Sequence, residues 1–251
     1  MGYFNIIKLN AITSTNDYLK DKRLKGDHKD GDFVWTKNQT AGRGQSNKIW
    51  QSEPENSISL SIYRAFGIKA PQHPFEISAA FACATVHALE SIGVPELSIK
   101  WPNDILSCNH KVGGILIENT YKNSSLNETI MGLGLNVNQE RFDSLPNAAS
   151  LFTLTNKKWD LETVLNSLVH TYENVLFSNF SLTIKKYLKG FNSFLWRKSK
   201  ISKFKDSEKI FEAIPLEVTQ EGKLLLLDPD CKTQSEIDSA TVRMLYYSEL
   251  V

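Results

Sequence analysis

Two mostly apolar runs, KVGGILIEN (residues 111–119) and ETIMGLGLNVN (residues 128–138), constrain this chain more than any other feature. Isoleucine, leucine and glycine dominate both, so they read as central strands of one sheet. A third run, SISLSIYR (residues 57–64), alternates serine with Ile58, Leu60 and Ile62. That period of two marks a strand with one buried face. YFNIIKL (3–9), DFVWTKN (32–38) and LSIKW (97–101) read as further strands.

Helical spacing appears between them. Ser14 is placed to cap a helix over TSTNDYLKDKRL (13–24), with Asp17 adding favourable charge to its first turn. Ile77, Ala80, Phe81, Ala84, Ala88 and Leu89 share a helical face that opens after Pro74 and stops at Gly93 and Pro95. Two more helices are read between Trp159 and Leu195. After Trp196 the pattern changes to short strands, KIFEAIPLEV, GKLLLLD and ATVRMLYYSE, punctuated by Glu221-Gly222 and Asp228-Pro229-Asp230. Strands outnumber crossover helices, which predicts an α+β fold with a mixed, largely antiparallel sheet. The boundaries are a large domain over 1–196 and a small β domain over 197–251. The latter is too small to be robust alone and is expected to dock on the former.

Composition excludes several classes. Net charge is +1 in 251 residues, so nucleic acid and anionic membranes are not indicated as partners. Residues 198–251 hold eight Lys/Arg and ten Asp/Glu, a net of −2, which also argues against DNA binding by the β module. Cys83, Cys108 and Cys231 are widely spaced and form no C-x-x-C pair, which points to neither a zinc site nor a disulfide framework. No signal peptide or membrane-length apolar run is read, and the expected location is cytoplasmic.

Several short motifs could carry chemistry. In TAGRGQSNKIW (40–50), Gly42 and Gly44 permit backbone N–H groups to converge on an anion and Arg43 adds a forked donor, although such a glycine pair is also ordinary in loops. In KWPNDI (100–105), Pro102 makes a rigid exit that presents Asn103 and Asp104, or simply an Asx-turn. Gly113-Gly114 and Gly132-x-Gly134 leave the sheet surface bare for a ligand or for close packing. Lys111 and Asn136 stand at the ends of those strands. The five histidines show no H-x-x-x-H spacing, and His87 and Cys83, on an apolar helix, read as packing or boundary residues.

The ordered set STN (14–16), QTAGRG (39–44), KWPNDI (100–105), KVGGILIE (111–118) and GLGLNVN (132–138) resembles that of biotin–protein ligases, strongly over about residues 5–140. The resemblance implies a catalytic domain of the biotin/lipoate ligase type, similar to class II aminoacyl-tRNA synthetases, followed by a small SH3-like β-barrel. It further implies the short form of the family, without a DNA-binding helix-turn-helix, and is compatible with a homodimer. The reaction implied joins biotin to Mg-ATP to give biotinyl-5′-AMP, then passes the biotinyl group to one lysine of a biotin carboxyl carrier protein.

By the same resemblance, Ser14, Thr15, Asn16, Gln39, Arg43, Gly44, Gln45, Lys111, Gly114 and Gly132 line the biotin site. Arg43, Lys48, Trp50, Lys111 and Asn136 serve ATP, with Trp50 and Asn136 against adenine. Arg43 and Lys111 bridge the carboxylate and the α-phosphate. Asp104 either orients the incoming amine or helps place Mg2+, and Lys100 shapes the site. The family commonly carries GRGRxGRxW where this chain has GRGQSNKIW, so Gln45 replaces an arginine, Ser46 and Asn47 alter the middle, and Lys48 stands in as the later cation. A lysine lacks the guanidinium fork. Faster leakage of the adenylate than in arginine-rich members is therefore expected. Alternative readings are a lipoate–protein ligase and a nonenzymatic biotin-binding protein.

Overall fold

The computed structural model describes residues 2–67, 70–143, 145–177 and 180–246, the side chains of Asn47 and of residues 180–185 excepted. Seven strands form one sheet: β1 (Asn5–Leu9), β2 (Asp32–Thr36), β5 (Ser57–Ala65), β9 (Ser125–Asn136), β8 (His110–Lys122), β7 (Asp104–Ser107) and β6 (Leu97–Lys100), in that spatial order. Only β1 and β2 run parallel; every other neighbouring pair in this sheet is antiparallel. The two apolar runs form the hairpin β8–β9 beside β5 in the middle of the sheet, where side chains on both faces leave water.

One face packs on α2 (Phe75–Ser91), which is in turn covered by α4 (Leu161–Leu176) and α5 (Phe180–Ser193). Sandwiched in this way, α2 buries residues all round, including Cys83 and the six positions read as its apolar face. Phe81 stacks on Tyr172 at 4.6 Å, and Thr85 Oγ1 lies 2.7 Å from the Tyr172 hydroxyl, which satisfies the polar end of that ring. Gly93 ends the helix region with φ +86°, open to a residue without a Cβ. The other face of the sheet carries α1 (Thr15–Leu24) on a smaller apolar cluster of Leu19, Val34, Tyr63 and Ile130.

Several expectations change. Ser57, Ser59 and Ser61 are as buried as the isoleucines between them, because α1 and the glycine loop cover their face. KWPNDI is not an exit from the sheet but the turn of a hairpin: Lys100 pairs with Asp104, which begins β7. His87 is exposed, 3.3 Å from Glu90, on the side of α2 turned away from the core. A short helix, α3 (Leu151–Thr155), capped by Ser150, precedes the two helices anticipated.

The C-terminal segment forms an antiparallel sheet of β13 (Gln234–Ile237), β12 (Leu224–Leu227), β11 (Ile210–Val218), β10 (Ser202–Lys205) and β14 (Arg243–Met244), in that order. β10 and β13 escaped the sequence reading, and the last anticipated strand shrinks to two residues, with its Tyr247–Glu249 end outside the described residues. The module docks by sharing the main core through Phe204, Val218, Leu224 and Leu226. Asn192 exchanges two hydrogen bonds with Val218, and Trp101 Nε1 donates to the Gly222 carbonyl at 2.9 Å. No helix among the described residues is long and apolar enough to cross a membrane.

Candidate functional site

A cavity of about 490 Å³ opens on the α1 side of the sheet, between the glycine loop and the C-terminal module. Pockets for small organic ligands commonly span about 300–1,000 Å³. Its floor is made by residues that lack side chains. Gly114 on β8 sits directly opposite Gly134 on β9, and Gly134 opposite Ser59 on β5. The Trp50 indole lies in this trough: a Cβ on Gly134 would fall 2.2 Å from Trp50 Cε2, and one on Gly114 2.9 Å from Cζ3. Gly132 is required for a different reason, since a Cβ there would meet Asn16 Oδ1 at 2.4 Å.

Trp50 arrives there because the glycine loop is a small hairpin. β3 (Gly42–Arg43) pairs with β4 (Ile49–Trp50) around a 3-10 turn at Gln45–Asn47, closed by Gly44 N–H on the Lys48 carbonyl at 2.7 Å. Gln45 and Lys48 stand exposed at its tip, bordering the cavity.

At one end, the N-terminus of α1 presents Ser14, Thr15 and Asn16, all buried. Ser14 caps the helix by accepting from Asp17 N–H at 3.3 Å. Gln39 Oε1 accepts from the Thr15 N–H at 2.9 Å and from its hydroxyl at 3.2 Å. Ser61 Oγ reaches Thr15 Oγ1 at 2.7 Å and Asn16 Oδ1 at 2.5 Å. Asn16 Nδ2 donates to Glu118 at 2.8 Å, so both ends of its amide are engaged within the protein.

Arg43 is bound at this same end. Its Nε and Nη2 donate to the two oxygens of Asp17 at 3.1 and 2.6 Å, and Nη2 also reaches both oxygens of Glu118 at 3.2 and 3.1 Å. Lys20 donates to Glu118 at 2.7 Å. Burial works against the Glu118 charge, but bonds from Lys20 and Asn16 and the nearby cations outweigh it and hold its carboxyl below the usual range.

At the other end stands Lys111. Ile105 pairs with Gly113 and Leu106 with Lys111, which leaves Val112 as an extra residue in β8. That bulge turns Lys111 onto the same face as Gly114, toward whose position its Cε reaches. Lys111 Nζ lies 2.6 Å from Asp104 Oδ1, and 5.5 Å from the centre of the Trp50 ring. Tyr246, from the C-terminal module, donates to Asp104 Oδ2 at 2.8 Å, and Lys100 lies over its ring at 4.2 Å. Burial alone would push the Asp104 carboxyl up. The charges of Lys111 and Lys100, with bonds from Lys111 and Tyr246, more than offset it, and the group ionises below the ordinary range.

Two buried polar atoms at the site lack a hydrogen-bond partner: Trp50 Nε1 and Asn136 Oδ1. Asn136 Nδ2 donates to the Ala149 carbonyl at 3.1 Å, which aims the amide. An unpaired donor and an unpaired acceptor beside a glycine floor are what a flat, polar-edged ring would satisfy.

The structure therefore brings together all the residues singled out in the sequence, but divides them. Ser14, Thr15, Asn16, Gln39 and Arg43 gather at the α1 end, and Lys111, Asp104 and Lys100 at the other. Gly114, Gly132, Gly134, Trp50 and Asn136 lie along the floor, with Gly44, Gln45 and Lys48 on the hairpin above. Arg43 is paired with Asp17 and Glu118 at the α1 end, while Lys111 is paired with Asp104 at the other. Asp104 has one partner on each oxygen, Lys111 and Tyr246, and no group of three His, Cys, Asp or Glu able to hold a metal occurs among the described residues. Glu118, Asp17, Ser61 and Tyr246 were missed. Glu118 lay within a quoted motif, but its cationic partners Lys20 and Arg43 come from other elements; Tyr246 acts across 142 residues of chain.

The chain belongs to the biotin/lipoate A/B protein ligase family, whose model matches residues 9–136, just over half of its length. It is similar to the bifunctional ligase/repressor BirA of Bacillus subtilis, 32% identical over 149 residues that make up 57% of this chain and 45% of that protein. It is also 32% identical over 148 residues to the biotin–[acetyl-CoA-carboxylase] ligase of Mycobacterium tuberculosis, covering 56% of this chain and 52% of that one. These matches span about half the length of each relative. Among solved structures, the biotin protein ligase from Aquifex aeolicus in complex with biotin and ATP superposes with a TM-score of 0.79 at 24% identity, covering 96% of this chain and 99% of that one. That likeness carries the fold, an α+β architecture with a small β module.

Proposed function

We propose that this chain activates the carboxylate of biotin with ATP and transfers the resulting acyl group to a lysine of a carrier protein. The observation that supports it most is one cavity joining an amide- and hydroxyl-rich end, a glycine-floored trough with unpaired Asn136 Oδ1 and Trp50 Nε1, and a lysine at the far end. A ureido ring needs paired donors and acceptors, which the Ser14, Thr15 and Gln39 end supplies. Adenine offers an amino donor and ring-nitrogen acceptors that suit Asn136 and Trp50. Between them the carboxylate meets the α-phosphate under Lys111.

In the first half-reaction a biotin carboxylate oxygen bonds to the α-phosphorus and pyrophosphate leaves. Two anions must approach, and the Lys111 ammonium offsets the charge while Asp104 keeps it aimed. In the second, the carrier's lysine amine attacks the acyl carbon, loses a proton and expels AMP. The hairpin and the C-terminal module exclude water from the mixed anhydride. Magnesium travels on the phosphates of ATP, which suits a cation that keeps phosphate oxygens and waters as ligands; no step is assigned to it. The acceptor is a biotin carboxyl carrier protein, and the reduced state of the three cysteines suits a cytoplasmic setting. We further assign residues 1–196 to the catalytic domain and 197–251 to the small module.

The test is pyrophosphate release from Mg-ATP with biotin or with lipoate. Release with biotin is expected, reduced at least about a hundredfold in Lys111→Ala, the scale of removing one charge-stabilising donor. Release with lipoate alone would assign the chain to the other branch of its family, and binding of biotin without release would make it a nonenzymatic binder.

A further inference from the structure

Glu118 has no part in the chemistry just described, yet it is the most connected side chain at the site. It lies on β8 four residues beyond Gly114, hence on the cavity face, with its side chain 23% exposed. One carboxylate gathers three elements: Asn16 and Lys20 from α1 and Arg43 from the hairpin. Asp17 takes the remaining side of the Arg43 guanidinium. Arg43 and Lys20 carry two positive charges and Asp17 and Glu118 two negative ones, so the cluster is neutral.

We propose that Glu118 is a positioning residue: its carboxylate orients the Asn16 amide and, with Asp17, holds Arg43 as the strap that docks the hairpin on the sheet. This rests on reading the cavity as a biotin site. It deepens that reading by giving Arg43 a docking role and leaving the charge at the reacting end to Lys111. Three consequences tie the idea to geometry. Gly132 must be bare, because Glu118 and Ser61 fix Asn16 where a Cβ would collide. Trp50 pairs with Gly42 and Arg43 with Ile49, and Asp17 still holds Arg43 when Glu118 is neutralised, so Trp50 keeps its seat in the trough. The forked guanidinium spans two carboxylates at once, which a lysine at position 43 could not do.

Steady-state pyrophosphate release with Mg-ATP and biotin tests this in Glu118→Gln, a variant that keeps the size of the side chain but removes its charge. The KM for biotin should rise about tenfold, the scale of one lost charge-assisted hydrogen bond, while the KM for ATP moves less than about threefold. Glu118→Asp should recover part of the loss, and Asp17→Asn should move the biotin KM in the same direction. Glu118→Gln combined with Arg43→Met should lose less than the product of the two single losses, because both remove the same strap while only Glu118 also orients Asn16. Should Glu118→Gln fold poorly, Glu118→Asp and Asp17→Asn carry the comparison. An unchanged biotin KM, an equal rise for both substrates, or losses that multiply in the double variant would each overturn the proposal. Wild-type protein that releases no pyrophosphate with biotin would instead overturn the functional reading beneath it.

Discussion

Asp104 shows at the scale of one residue why a motif and its role are different things. The stretch KWPNDI was conspicuous in sequence, but its aspartate could have been an Asx-turn, an amine acceptor or a metal ligand. In the fold it is the counter-ion that aims Lys111, with Tyr246 closing its second oxygen. Its depressed ionisation has a consequence for stability. A carboxyl that ionises lower in the folded chain than in the unfolded one, where the value is about 3.9, adds stability above that pH and loses it as pH falls through the folded value. Urea midpoints taken from about pH 5 to about pH 2 should therefore fall more steeply for wild type than for Asp104→Asn. Parallel curves would show that the pair adds nothing to folding. Most of the residues lining the cavity were legible only from the order of their motifs, since each alone also reads as a turn or as close packing. Asp17 and Glu118 were not, because an acidic side chain on a strand or an exposed first turn reads as a solvated charge until its cationic partners are placed.

Among the elements, the hairpin β8–β9 and the glycine loop explain one another. The apolar content of the strands was readable as a central hairpin, but their glycines were ambiguous between ligand approach and helix packing. Gly114 and Gly134 turn out to admit the Trp50 indole, and Gly132 the Asn16 side chain from the first turn of α1. Gly134→Ala would place a methyl group 2.2 Å from the indole, so the ring must leave the trough. Overpacking of this kind typically costs about 1–3 kcal/mol, so the KM for ATP should rise roughly tenfold or more. An unaltered ATP KM would mean that the trough does not seat the ring that faces adenine. The alternation of serine in β5 was read correctly as a strand and wrongly as one with a wet face. Nothing local announces that α1 will cover it.

The whole molecule is held together by contacts between segments far apart in sequence, which is where sequence reasoning has least to use. The small β module was visible as a change of pattern after Trp196, but not its reach into the site. Tyr246 links that module to Lys111 through its hydrogen bond to Asp104. Tyr246→Phe takes away a bond that favours the charged carboxylate, so the acid limb of kcat/KM should move to higher pH, with kcat lowered several-fold. A limb that stays in place would reduce the module to a scaffold. The central claim is ATP-dependent transfer of biotin to a carrier, and its most direct measurement is the mass of a biotin carboxyl carrier domain after incubation with this protein, biotin and Mg-ATP. The account predicts addition of one biotinyl group to a single lysine, with AMP and pyrophosphate formed, and no addition by Lys111→Ala. An unmodified carrier, or one modified only when lipoate replaces biotin, would contradict it.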